Sequence, residues 1–212
     1  MLKFNNVLVL APHTDDGELG AGGFINKLTN SGSKVSYIAF SSCEKSVPAG
    51  YPPDTFRKEV KSATKVLGIK KENLKILDYE VREFTYRRQE ILEDLVKIRN
   101  SNDYDLILTP SINDIHQDHS VISLESIRAF KTSASILSYD LPWNNTKFHS
   151  HCFVKLTQKE ADNKYKALTM YKSLSDRVYM QKDAIYSLMR HKGMQSSTEF
   201  AESFEVIRWF ID

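Results

Sequence analysis

The chain has 212 residues, 41% hydrophobic and 26% charged, which fits one globular domain with a full core. A formal net charge of +2 is too small to imply nucleic acid or a membrane surface as partner, and basic pairs such as Lys70-Lys71 read as solvated helix ends. Two cysteines without paired spacing, Cys43 and Cys152, exclude a disulfide framework and a thiolate zinc site. The longest apolar stretch, VLVLA, is too short to span a membrane, and MLKFNN lacks the apolar region of a signal peptide, so a cytoplasmic protein is expected.

The first half alternates strand and helix signals. NVLVLAP (6–12) is a continuous apolar run, the pattern of a strand buried on both faces. GGFINKLTNSG (22–32) predicts a helix ending at Gly32, and KVSYIAFSS (34–42) the next strand. SVPAGYPPD (46–54) reads as a surface loop. Phe56, Val60, Ala63 and Leu67 recur at helical spacing before Gly68, which suits a helix C-terminus. LKILDY (74–79) predicts a strand, EILEDLVKIRN (90–100) an amphipathic helix and DLILTPS (105–111) a short apolar strand. A helix over 119–131 and a strand over 134–142 follow. In the last third, the strands CFVKL (152–156) and FEVIRWF (204–210) flank charged helices near 158–172 and 177–191. The β-α alternation implies a single α/β domain with a mostly parallel sheet and helices on both faces.

Two clusters carry the chemistry. His13, Asp15 and Asp16, in APHTDDGELGAGG, lie just past the first predicted strand; His116, Asp118 and His119, in DIHQDH, lie just past a later one. Sites in open α/β sheets form at the carboxyl ends of strands, so the two clusters have a physical reason to meet. His13, Asp16 and His119 supply the three protein ligands of a catalytic zinc, with one position left for water whose pKa the metal lowers to about 7. Asp15 is then suited to take the proton of that water, and His116, as a cation, to stabilise an oxyanion and protonate a leaving amine. Asp118 is expected to hold the ring of His116. Either cluster alone is a common turn or cap; it is their joint placement that carries the reading.

Other features read as structural. His149 and His151 flank a strand start, His191 sits at a helix C-terminus, and Cys43 reads as a buried, idle thiol. Gly17, Gly20, Gly22 and Gly23 follow the first strand but lack G-x-G-x-x-G spacing, and two carboxylates in that turn repel a pyrophosphate. Tyr51, Tyr79, Phe84, Tyr86 and Trp143 supply aromatic surface for substrate stacking or for core packing.

PHTDDGELGAGG resembles the signature of the LmbE-like, or PIG-L, N-deacetylases, and DIHQDH resembles their second, His-x-Asp-His motif. FRKEVKSATKVLG (56–68) is similar to the family's Arg-x-Glu helix, and KYKALTMYKS and GMQSSTEFAESFEVIR to the tail of its bacterial branch. The resemblance implies a Rossmann-like sheet and hydrolysis of an N-acyl group, usually acetyl on an amino sugar or its conjugate. It implies Zn2+, or another divalent metal, on His13, Asp16 and His119, with Asp15 as base and His116 as acid and oxyanion partner; Arg57 then contacts substrate. The chain departs from the pattern at Thr14, where proline is usual. It departs again at Gly17, where glutamate is usual and Glu18 follows one place later, and at Leu174, where glutamine is usual.

None of these departures removes a proposed ligand or the base. A hydrolase of another bond, such as a phosphoester, and a non-catalytic sugar-binding homologue are the alternatives. A homo-oligomer in which the proline-rich loop closes a neighbour's cleft is compatible with the sequence.

Overall fold

The computed structural model describes residues 4–211, so the first three residues of MLKFNN lie outside the described part. Seven strands form one sheet in the order β3-β2-β1-β4-β5-β7-β6. They are β1 (Asn6–Ala11), β2 (Lys34–Ala39), β3 (Leu74–Ile76), β4 (Leu106–Pro110), β5 (Ser135–Tyr139), β6 (Cys152–Leu156) and β7 (Phe200–Arg208). The first five pair in parallel, β7 runs antiparallel to β5, and β6 antiparallel to β7.

Among the described residues six α-helices cover the sheet: α1 (Asp16–Asn30), α2 (Thr55–Val66), α3 (Arg88–Ser101), α4 (Gln117–Phe130), α5 (Gln158–Leu168) and α6 (Lys182–Gln195). Alternate residues of β1 enter opposite cores, as a doubly buried strand requires. Val7, Val9 and Ala11 pack with side chains of α1, α2, α5 and α6; Leu8 and Leu10 pack with those of α3 and α4. The α/β sheet read from the sequence is therefore the observed one. Among the described residues no helix is long and apolar enough to cross a membrane.

The chain steps outward from β1 to β2 and β3, then returns to place β4 on the other side of β1. The loops after β1 and β4 thus diverge from adjacent strand ends, and the crevice between them is where open α/β sheets bind ligands. Both clusters sit there, yet neither is wholly in a loop. Asp16 opens α1, six residues earlier than the helix expected at 22, and His119 lies in the first turn of α4.

α1 has a break that the glycine-rich sequence does not announce. Ala21 has φ −140° and ψ 15°, which ends one helical segment and starts another. A buried ion pair, Lys164 to Glu202 at 2.7 Å, bridges the break. The Lys164 ammonium donates to the Leu19 carbonyl at the end of the first segment. The Glu202 carboxylate accepts the Gly23 and Phe24 N–H groups at the start of the second. Each charge sits where a helix end leaves backbone groups unpaired, cation on carbonyls and anion on amides.

Candidate active site

His13, Asp16 and His119 converge on one point. His119 Nε2 lies 3.1 Å from His13 Nδ1 and 3.2 Å from Asp16 Oδ2, and His13 Nδ1 lies 3.2 Å from the same oxygen. Three ligands of a tetrahedral zinc, each about 2.0–2.1 Å from the ion, stand roughly 3.3 Å apart, so this donor triangle has the dimensions that a metal requires. The opposite nitrogen of each imidazole is held by a carboxylate. His13 Nε2 lies 3.0 Å from Asp118 Oδ2, and His119 Nδ1 lies 2.7 Å from Asp114 Oδ2. Such pairing fixes the ring and aims the free nitrogen.

Asp118 therefore does not hold His116, as the sequence led us to expect. Its carboxylate also accepts the Arg82 N–H at 2.6 Å, so it turns towards the segment after β3 and towards His13. Only its backbone amide meets His116, donating to Nδ1 at 3.2 Å as His116 caps α4. Asp114 is the residue the sequence reading missed. Its one signal is a carboxylate opening DIHQDH, and short acidic turns of that kind rarely distinguish themselves in a sequence.

The electrostatics follow from this packing. Burial raises the Asp16 carboxyl, but His119 and His13 outweigh it and hold the group well below the usual carboxylate range. Burial lowers His13, yet the Asp16 charge and the bond to Asp118 carry it to about 9; Asp16 and Asp114 likewise carry His119 to about 10. Both imidazoles thus favour their protonated forms beside these carboxylates, and a metal has to displace those protons to bind. Asp15 is raised to about 7, first by burial and then by the neighbouring Asp16 charge. It caps α1 but makes no side-chain capping bond, which leaves its carboxylate uncommitted. His116 is lowered to about 4 by burial and then by the two imidazoles beside it. The cation expected at His116 is thus a neutral ring, and acceptance at Nδ1 leaves its proton on Nε2.

The three imidazoles each offer a ring nitrogen within 4.8 Å of the others, so His116 borders the same place. Its Nδ1 has no carboxylate behind it, in contrast to His13 and His119. Arg57 stands apart from this cluster in its bonding. It joins Glu44 at 2.9 Å and Asp78 through a second nitrogen, and so ties α2 to the segments after β2 and β3. Its expected contact with substrate is not among these bonds.

The departures from the family pattern have local explanations. A Cβ on Gly17 would stand 2.6 Å from Tyr37 Cε2, so glycine is the residue this packing admits. Glu18 is fully buried and bonds to the Tyr37 and Tyr171 hydroxyls; burial pushes it up to about 8. Both hydroxyls also reach the Thr14 carbonyl, at 3.0 and 2.6 Å. Glu18 and the two tyrosines thereby brace the His13–Asp16 turn. Leu174 is buried in the apolar core. Cys43 is buried as expected, with its thiol pushed up to about 12 by that burial.

Residues 8–130 match a known protein family, PIG-L, described as GlcNAc-PI de-N-acetylase. The chain belongs to the PIG-L family. Among its relatives is the uncharacterized deacetylase YaiS of Escherichia coli K12, 24% identical over 174 residues, or 81% of this chain and 92% of that protein. The N,N'-diacetylchitobiose deacetylase of Pyrococcus horikoshii shares the fold with a TM-score of 0.82 at 20% identity, over 96% of this chain and 84% of that one. A zinc-inhibited form of teicoplanin deacetylase Orf2 superposes with a TM-score of 0.74 at 14% identity, over 98% of this chain and 100% of that one. The PIG-L match takes in both junctions of the site, from β1 through the end of α4.

Proposed function

We propose that this PIG-L protein is a metal-dependent N-deacetylase that hydrolyses the acetamide of an N-acetylated amino sugar or its conjugate. One observation carries the reading. Two imidazoles and a carboxylate close a triangle of 3.1–3.2 Å, and each imidazole is backed by its own buried carboxylate. The family description and the deacetylase relatives support the reaction class.

His13, Asp16 and His119 hold the metal in this reading, zinc or another divalent ion. When bound, the ion polarises the acetamide carbonyl and acidifies a water. Asp15, which neighbours the triangle and has no side-chain bond to the helix it caps, is placed to accept the proton of that water. The neutral His116 Nε2–H donates a hydrogen bond to the oxygen that gains charge as the carbonyl carbon becomes tetrahedral. The proton taken up by Asp15 passes to the amine nitrogen as the C–N bond breaks, so acetate and a free amine leave and Asp15 is again a carboxylate. Asp114 and Asp118 orient the two ligand rings.

The test is a panel of N-acetylated sugars and sugar conjugates, assayed for acetate and free amine with metal supplied and after chelation. Metal-dependent release of both products is the expected result. Turnover that survives complete removal of metal overturns the reading, and phosphate release from phosphoesters in its place moves the protein to the other hydrolase class.

A further inference from the structure

The turn after β3 holds a backbone conformation that its residues do not favour. The Glu83 N–H donates to the Glu80 carbonyl at 3.1 Å, which closes a four-residue turn with Val81 and Arg82 at its centre. φ is +72° at Arg82, and Val81 is not among the residues of positive φ; together these define a type II turn. Glycine or asparagine is the usual occupant of its third position. The arginine side chain does not offset the strain. It is exposed, and among the described residues its guanidinium makes no ion pair or hydrogen bond. Strain of this kind persists where the surrounding structure over-determines the backbone.

The compensation lies at Asp118. Turns of type I and type II differ by a rotation of about 150–170° of the peptide that joins their central residues. The sign of φ at residue 82 therefore decides which way the Val81–Arg82 peptide points its N–H. In the type II form that N–H donates to Asp118 Oδ2 at 2.6 Å, and the Phe84 N–H adds a longer bond to Oδ1 at 3.4 Å. Phe84 is fully buried beside Phe40 and Tyr79, so the far side of the turn is anchored in the core. Asp118 is also fully buried, and its Oδ2 is the oxygen that lies 3.0 Å from His13 Nε2. A flip to type I takes the Arg82 N–H away. Among the described residues that oxygen is then left with the imidazole alone, and the other oxygen with the long Phe84 bond.

We propose that the Glu80–Glu83 turn is a positioning element of the metal site: the left-handed backbone at Arg82 aims one amide at Asp118, which in turn holds the His13 ring towards the metal. The proposal rests on the reading of His13 as a ligand and extends it to a segment outside both histidine clusters. Arg82 acts through its backbone and not through its guanidinium. A carboxylate behind a ligand imidazole sets the orientation of the ring and the affinity of the site, and the carboxylate's own partners set how firmly it does so. The segment after β3 thereby joins those after β1 and β4 in building the site.

The test measures Zn2+ affinity, by competition with a chelator, in the wild type, Arg82→Gly and Arg82→Val. Glycine adopts positive φ freely, whereas a β-branched residue resists it. Arg82→Gly should stay within about threefold of the wild type, and Arg82→Val should bind Zn2+ about tenfold more weakly or worse. In an Asp118→Ala background the valine substitution should add less than about twofold, because the group it misplaces is gone. Equal losses in the glycine and valine variants overturn the proposal, since the guanidinium then carries the effect. So does wild-type affinity in Arg82→Val, or an undiminished valine effect in the Asp118→Ala background. Amide hydrogen exchange needs neither metal nor a variant at residue 82. The Arg82 amide should be protected in the wild type and exchange about tenfold faster or more in Asp118→Ala, while the β1 amides, which report on the fold, stay protected. Equal exchange of the Arg82 amide in the two proteins overturns the proposal. Protection that depends on Asp118, in a wild type that binds no Zn2+, upholds the hold of the turn on Asp118 and removes the ligand reading of His13.

Discussion

The β1–α1 and β4–α4 junctions are built alike and end up with opposite duties. Each is a strand running into a helix, with a histidine and carboxylates at the turn and a helix N-terminus facing the crevice. They differ in how the helix is capped. At the first, Asp15 is the N-cap and makes no side-chain bond to the helix, so its carboxylate stays free for proton transfer. At the second, the N-cap is His116, which accepts the Asp118 N–H and thereby fixes its ring as an Nε2–H donor. In the proposed mechanism the free cap is the base and the bound cap a fixed hydrogen-bond donor. The junctions also complete one another, since Asp118 of the second orients His13 of the first.

The sharpest way to break this comparison is to remove donors. His119→Ala and His13→Ala should each lower metal content to background and abolish turnover, whereas His116→Ala should retain the metal; elemental analysis of the purified variants decides. Loss of metal in His116→Ala, and its retention in a variant lacking Asp16, would replace the proposed ligand triangle by the three histidines. Next in size, Asp15→Asn should keep the metal and cut kcat by about 10²–10⁴-fold, the range of a general base. Activity within a few-fold of wild type in Asp15→Asn would show that the unbonded cap is idle.

A smaller effect sharpens the exchange between junctions. Asp114→Asn and Asp118→Asn should each weaken metal affinity by about 10–100-fold, measured by competition with a chelator. An effect of Asp118→Asn on turnover alone would return Asp118 to the His116 side of the site.

The smallest expected effect is on stability against pH. The histidines are raised from about 6.5 to about 9 at His13 and about 10 at His119, so their contribution to the metal-free protein is complete below pH 6.5 and is lost as pH rises through 9 to 10. The raised Asp15 and Glu18 carboxyls act in the same direction, because burial disfavours their ionised forms. Thermal melts of the metal-free protein should therefore fall, on the order of 5 °C, between pH 6.5 and 10. Added metal should stabilise more as pH rises, since its ligands must be deprotonated. A melting temperature of the metal-free protein that rises over this range contradicts the protonated triangle.

Much of this protein was legible along the chain, because the signals are local. The apolar run of β1 declares a strand buried on both faces, and β-α alternation declares a parallel sheet. His13, Asp15, Asp16, His116 and His119 stand out as candidates for ligands and proton transfer once both clusters are placed at strand ends. Helix starts were less legible: α1 begins at Asp16, inside what reads as a motif loop, because the helix continues through glycines and an Ala21 break that a buried ion pair supports.

What only the tertiary structure decided are relations across the sheet. Placing β4 beside β1 brings residues about a hundred positions apart to 3.1 Å. The same packing turns Asp118 to His13 and Asp114 to His119, and it buries His116 beside two other imidazoles so that it is neutral. Residue type and spacing determine which groups are able to bind metal or move protons. Which carboxylate holds which ring, and which group carries charge, depends on distance and desolvation, and these exist only once the strands have assembled.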